Sequence, residues 1–295
     1  MFPSSLPSLR TMARRTGHVL GINWRNLNYI YPFNHRKNFP LADDKLRTKT
    51  ELAAWGIPMA DTLGVYDSFF ELRNLGEDLA AHDSFVIKPA HGRAGGGVLV
   101  VTGRSGESWL GADGRVRTLA EMKKHISDII FGIHSFDMED QAIVEERLTL
   151  HPEVEAISPF GLADLRVIVF RGRPVQAMLR LPTRNSGGRA NLHQGAVGVG
   201  VDLAREETVH AVHLGVSVTE HPDTGAPLLG RTLPGMEVVL GLCRTLGAAV
   251  PLKYLGADIA LTPRGPVLLE INARPGLEIQ NANHAGLRGL LESGS

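Results

Sequence analysis

The chain has 295 residues, of which 43% are hydrophobic and 21% charged, with 31 basic and 31 acidic side chains and a formal net charge of zero. That balance argues against a generally basic nucleic-acid surface. The single cysteine, Cys243, excludes an internal disulfide, and no run approaches the roughly 18 apolar residues of a membrane span.

Such a length is enough for one large core or for two to three smaller lobes. At the start, Arg10, Arg14 and Arg15 have no long apolar segment behind them. This is read as a loose arm or first helix and not as a signal peptide, and the expected location is cytoplasmic. Residues up to 44 are rich in Asn, Tyr and Pro (WRNLNYIYPFNHRKNFP) and are expected to be irregular. The stretch DDKLRTKTELAAWGIP reads as a helix that Gly56 and Pro58 stop. SFVIKP and GVLVV read as strands. TLAEMKKHISDIIF places apolar residues at helical spacing.

AIVEERL is expected to be a strand ending on charges. DLRVIVF and VQAMLRL form a hairpin around Gly172, and AVGVGVD is a further strand. The helix MEVVLGLCRTLGAAV carries Cys243, expected to be buried and inert. YLGADIALT and PVLLEINARPG form a second hairpin, and the tail LEIQNANHAGLRGLLE is expected to be one terminal helix. Strands and helices alternate with several hairpins, so the class is α+β or mixed α/β.

The second hairpin holds the strongest oxygen donors. A turn centred on Arg264 sets Asp258 opposite Glu270, and Asn272 shares the face of Glu270. Two acids and an amide among apolar partners suit Mg²⁺ or Mn²⁺; pairing with arginines is the alternative. In FVIKPAHGRAGGGVLVV a lysine, Lys88, ends a hydrophobic strand, and the glycines that follow include Gly95, Gly96 and Gly97. This is either a phosphate cover or a bare hairpin tip. It lacks the following GK[ST] of a Walker A motif.

Further candidates are weaker one by one. Glu146, Arg147 and Leu148 follow a strand, either as an exposed end or as a linker whose backbone reads an adenine edge. Asp164 and Arg166 share a face, with Arg180 roughly opposite. The loop RNSGGRANLHQG carries Arg184, Arg189, Asn191 and His193, read as a surface loop or a ligand lid.

Taken in order, DDK-LRTKTELAAWGIP, FVIKPAHGRAGGGV, IVEERL, ADLRVIV, RANLHQG, GADIAL and LLEINARPGLE resemble the ATP-grasp superfamily. The resemblance is strongest to the RimK branch and its alpha-L-glutamate ligase-like proteins, and it runs from about Asp43 to Glu278. It implies an ATP-grasp fold in which two α+β lobes, 45–145 and 146–295, clamp a nucleotide behind a reduced N-terminal segment, 1–44. Lys45 and Lys88 would hold ATP phosphates under the glycine loop, and Glu146, Arg147 and Leu148 would line the adenine. Asp164, Arg189 and Asn191 would complete the nucleotide site. Asp258, Glu270 and Asn272 would hold two Mg²⁺ or Mn²⁺ ions. Lys88, Arg166 and Arg274 are the implied catalytic groups.

The implied reaction is ATP-dependent carboxylate–amine ligation through an acyl phosphate. It would join an amino acid such as glutamate to a peptide, protein or small amine. Glu153 and Glu155 stand at plausible distances from the hinge for a ribose contact, and His35, Arg36 and Lys37 could meet a carboxylate or form a solvated turn. Two other readings keep the fold: a nucleotide-binding scaffold or partner subunit with little turnover, and a phosphotransferase of kinase type. Trp24, Tyr29, Tyr31 and Phe33 could pack on the chain's own core or on a second copy.

Overall fold

The structure, a computed structural model, describes residues 18–92, 95–135 and 138–293. Arg10, Arg14 and Arg15 lie outside them. The described chain divides into two compact units. One comprises residues 40–149 with 267–269, and the other residues 150–266 and 270–293 with 18–39.

The first unit opens with helix α1, Lys45–Ala53. Asp44 caps it, accepting from the backbone N–H groups of Leu46 and Arg47 at 2.9 and 3.1 Å. Strands β1 (Thr62–Tyr66), β2 (Phe85–Pro89), β3 (Leu99–Ser105), β4 (Ser108–Gly111), β5 (Val116–Arg117) and β6 (Ala142–Glu146) form one sheet in the order β1-β6-β2-β3-β4-β5. Helix α2, Leu119–Ile130, begins with a capping box between Thr118 and Glu121. It buries Met122, Ile126, Ile129 and Ile130, which lie on one helical face. Burial of each such side chain contributes about 1.5–3 kcal/mol.

Register decides which side chains of this sheet meet the core. In β2 and β6, Val86 pairs Glu145 and Lys88 pairs Ile143. One face therefore shows Phe85, Ile87, Ala142 and Val144, all in the apolar core with α2. The opposite face carries Lys88 and Glu145, because strand side chains alternate.

The second unit is a seven-stranded sheet. It holds β7 (Asp164–Phe170), β8 (Arg173–Leu181), β9 (Val197–Asp202), β10 (Glu207–His213), β11 (Val216–Ser217), β12 (Tyr254–Thr262) and β13 (Gly265–Asn272), in the order β11-β10-β9-β8-β7-β12-β13. The β7–β8 turn has left-handed backbone at Arg171 (φ 52°) and Gly172 (φ 77°), as a two-residue hairpin requires. Helix α3, Met236–Ala249, buries Cys243 completely. Burial pushes that thiol up to about 12, so it is inert, as expected.

Two expectations need correction. Residues 18–44 are not irregular. Short helical turns run Ile22–Arg25, Asn26–Ile30, Tyr31–Phe33, Arg36–Asn38 and Pro40–Asp43. Buried Asn34 anchors them. Its amide donates to the carbonyl oxygens of Tyr254 and Ala273 at 2.6 and 3.2 Å and accepts from the N–H groups of Lys253 and Tyr254 at 2.9 and 3.0 Å. Tyr29 and Phe33 pack on Phe170 within the chain's own core, with ring centroids 5.6 and 5.1 Å away, while Tyr31 is exposed. Trp24 is half-exposed under the guanidinium of Arg288.

The tail is not one helix. It breaks into α4, Ile279–Asn283, and α5, Arg288–Glu292. His284 takes a left-handed φ of 49°. Gly286 lies so close to His18 that a Cβ there would sit 2.1 Å from the His18 carbonyl oxygen. Buried Gln280 ties the tail to the start of the described chain, accepting from Leu20 N at 2.7 Å and donating to Leu20 O at 3.0 Å.

Candidate functional site

Two polar constellations stand out, one in each unit. In the sheet of the second unit, Asp164 pairs Arg180 across β7–β8, and Asp258 pairs Arg166 across β12–β7. All four side chains share one face. The same face, farther along, packs Ile168, Phe170, Met178 and Tyr254 into an apolar core. The charged groups thus sit at one end of a face whose other end is hydrophobic.

Their contacts are bidentate. Arg166 Nε and Nη2 donate to Asp258 Oδ1 and Oδ2 at 2.7 and 2.5 Å. Arg180 Nε and Nη2 donate to the two oxygens of Asp164 at 2.6 and 2.7 Å, and Nη2 also reaches Asp258 Oδ2 at 2.7 Å. Both carboxylates are buried. Burial pushes Asp258 upward, but Arg166 and Arg180 together outweigh it and hold the group well below the usual carboxylate range. Burial wins at Asp164, pushed up to about 6, with Arg180 opposing and the charge of Asp258 adding. Two arginines bond Asp258 and one bonds Asp164, which Arg166 reaches through its charge alone.

Glu270 and Asn272 of β13 join this cluster. Asn272 Nδ2 lies 3.3 Å from Asp258 Oδ2 and 3.2 Å from Glu270 Oε1. The structure thus brings together Asp258, Glu270 and Asn272, and it also realises the arginine pairing that was the alternative for Asp258. A carboxamide presents its oxygen where it presents its nitrogen after a half-turn about the terminal bond. That turn would make three oxygens converge, a donor set that fits a hard divalent cation. No cluster of three or more His, Cys, Asp or Glu placed to hold a metal occurs among the described residues, so the set rests on two carboxylates and one amide.

In the first unit, Lys88 and Glu145 meet on the polar face of β2 and β6, with Lys88 Nζ 2.5 Å from Glu145 Oε2. Lys49 of α1 lies 2.5 Å from the other oxygen, Oε1. That contact is ionic, since Oε1 accepts no well-directed hydrogen bond. Lys45, one helical turn before Lys49, donates to the carbonyl oxygens of Ala90 and Gly92 at 3.3 and 2.9 Å. It holds the chain where the glycine loop begins.

The same stretch is also held by buried Asp140. It accepts from His91 N at 3.1 Å, from Gln141 N at 2.8 Å and from Ser135 Oγ. His91 Nδ1, 2.8 Å away, carries its proton toward the same carboxylate. Gly95, Gly96 and Gly97 form a turn, with Gly95 and Gly97 at φ 74° and 72°. A Cβ on Gly97 would lie 2.7 Å from the His134 ring. The Gly97 carbonyl meets His125 Nε2 at 3.0 Å. Burial outweighs this hydrogen bond and pushes the His125 imidazole down.

The remaining candidates are more exposed. Glu146 accepts from Asp61 N at 3.1 Å, Arg147 is exposed and Leu148 half-buried. Arg189 is exposed, and Asn191 caps the turn Leu192–Gln194 by accepting from His193 N at 3.0 Å. The Arg274 guanidinium stands 5.1 Å over the Phe39 ring. Glu153 and Glu155 are exposed on the short helix Pro152–Glu155, and His35, Arg36 and Lys37 form an exposed turn. Sequence reasoning missed Lys49, Asp140 and His91. Only Lys49 had a signal, its four-residue spacing from Lys45 on one helix face.

A family model described as sugar-transfer associated ATP-grasp matches residues 24–294. The chain belongs to that ATP-grasp family. The resemblance read from the motifs is therefore borne out. The chain is 26% identical over 249 residues to a probable alpha-L-glutamate ligase of Syntrophotalea carbinolica, covering 84% of this chain and 61% of that one. It is 26% identical over 266 residues to a protein of the same name from Aliivibrio fischeri, covering 89% and 66%. The chain thus spans under two thirds of the length of these relatives. Among solved structures, a RimK domain ATP-grasp protein from Sphaerobacter thermophilus superposes with a TM-score of 0.48 at 12% identity, over 88% of this chain and 70% of that one. No helix among the described residues is long and apolar enough to cross a membrane.

Proposed function

We propose that this ATP-grasp chain is an ATP-dependent carboxylate–amine ligase. The observation that carries the reading is the pair of constellations of opposite character: Lys88, Lys49 and Lys45 beside a glycine turn, and Asp258, Glu270 and Asn272 on a sheet face. The first suits phosphate and the second suits a divalent cation. The names of the curated relatives favour an amino acid such as glutamate as one substrate. The description of the family adds amines on sugar-bearing molecules to the acceptors worth testing.

In this reading Lys45 and Lys88 hold the ATP phosphates, with the backbone of Gly95, Gly96 and Gly97 over them. Glu146, Arg147 and Leu148 line the adenine, and Asp164, Arg189 and Asn191 complete the nucleotide site. Asp258, Glu270 and Asn272 would hold Mg²⁺ or Mn²⁺, which when bound draws charge from the phosphate oxygens. Arg166 and Arg274 face the negative charge that develops as the carboxylate takes the γ-phosphoryl group. An amine then displaces phosphate from the acyl phosphate and leaves an amide. The protein's part is positioning and charge neutralisation.

The test is ADP release with Mg²⁺ and ATP across amino acids, short peptides and amino sugars, read with mass spectrometry. Release that needs two added substrates, with a product lighter than their sum by one water, is expected. Bound but unconsumed ATP would replace this reading with a nucleotide-binding scaffold, and a phosphorylated product without an amide with a phosphotransferase. Lys88→Ala is expected to abolish turnover while the circular dichroism spectrum stays unchanged.

A further inference from the structure

Glu145 is almost fully buried and lies between two ammonium groups, 2.5 Å from each. A carboxylate with one lysine makes a neutral pair. A carboxylate with two lysines leaves one positive charge uncompensated. Which lysine keeps that charge for a ligand follows from their other contacts.

Lys49 is anchored. Its ammonium donates to the Ala60 carbonyl at 2.6 Å and to Thr62 Oγ1 at 2.8 Å, and it faces Glu145 with what remains. Two of its three donors are thus bonded within the protein, and its charge is held against Glu145. For Lys88 the ionic partner among the described residues is Glu145 alone, which leaves donors to turn outward. We infer that Lys49 is a positioning residue for the phosphate site: it neutralises Glu145, so that Lys88 presents a full positive charge to the anion and is not absorbed into a neutral pair. Lys49 itself touches no phosphate. Burial lowers the Lys49 ammonium below its ordinary range, Glu145 opposes this, and Lys88 adds to it. The two cations therefore feel each other through the carboxylate they share.

This rests on the reading of Lys88 as a phosphate ligand, and the experiment separates the two. Binding of Mg·ATP, inorganic tripolyphosphate and adenosine is measured calorimetrically for the wild type, Lys49→Met, and the double variant Lys49→Met with Glu145→Gln. Lys49→Met is expected to weaken Mg·ATP and tripolyphosphate by about tenfold, the size of a typical coupling within one charge network, and to leave adenosine unchanged. The double variant removes the carboxylate that would then capture Lys88, so anion binding is expected to return to within about threefold of the wild type.

Anion binding in Lys49→Met equal to the wild type would overturn this inference and leave the nucleotide reading intact. A double variant as weak as Lys49→Met would also overturn it, because Lys49 would then act only as a brace between α1 and the sheet. Loss of adenosine binding together with Mg·ATP would do the same. A wild type that binds neither Mg·ATP nor tripolyphosphate would overturn both readings.

Discussion

The ionic clusters of the two units use the same kinds of contact to opposite ends. In the second unit, Asp164 and Asp258 lie with Arg166 and Arg180, and Glu270 joins them through Asn272, so in these contacts three carboxylates meet two guanidiniums. In the first unit, Lys49 and Lys88 share Glu145, so ammonium groups outnumber carboxylates. The choice of cation follows that difference. Arginine's planar fork grips a carboxylate at two points and stays charged when buried. Lysine's point charge on a flexible stem turns more readily toward a ligand. In the proposed reading, carboxylates gathered beside an amide suit a metal ion, and ammonium groups gathered beside a glycine turn suit phosphate. In that reading it is the excess of one charge, more than the number of ion pairs, that would make each a site.

The largest expected effect removes the carboxylate on which both arginines converge. Asp258→Asn leaves the half-buried Arg166 without its counter-ion, and breaking a buried pair from one side costs about 3–5 kcal/mol. Urea denaturation should show that loss, along with weaker Mn²⁺ binding by electron paramagnetic resonance. A fully stable Asp258→Asn would mean that the cluster is solvated and that the comparison with the lysine cluster fails. A smaller effect is expected in the first unit. Gly97→Ala forces a left-handed φ of 72° on an L side chain and drives Cβ into the His134 ring. Backbone strain of this kind costs about 1–3 kcal/mol. A variant as stable as the wild type, with Mg·ATP binding intact, would show that the turn is not held in this conformation.

Much of this was legible in the chain because strand alternation is a strong local rule. The register Asp164 to Arg180 and the shared site of Asp258, Glu270 and Asn272 follow from hairpins whose turns are marked by Gly172 and by Pro263–Gly265. Glu145 and Lys88 share a face for the same reason, but nothing local says that Lys49 reaches the far oxygen of Glu145. That contact depends on how α1 packs, which is a tertiary matter. The helical turns over 18–44 were hidden because Asn and Pro are poor helix formers. Asn34, bonded to four backbone groups far along the chain, overrides that preference. The broken tail follows from a close approach of Gly286 to His18 that no periodicity announces.

The smallest effect concerns the inequality between Asp164 and Asp258. Burial raises Asp164 to about 6 from an ordinary 3.8. A carboxyl whose folded value is raised binds its proton more tightly in the folded chain than in the unfolded one. Folding is therefore favoured by this group below pH 4, and that contribution is lost as pH rises through the window from about 4 to 6. Asp258, held low by its two arginines, acts with the opposite sign: its contribution is present above the unfolded value and lost only in stronger acid. Asp164→Asn removes the first effect and leaves the second. Denaturation midpoints between pH 4 and pH 6 should then rise more steeply with pH in the variant than in the wild type. Parallel profiles would show that Arg180 neutralises Asp164 as fully as the two arginines neutralise Asp258, and the asymmetry inside the cluster would have to be given up.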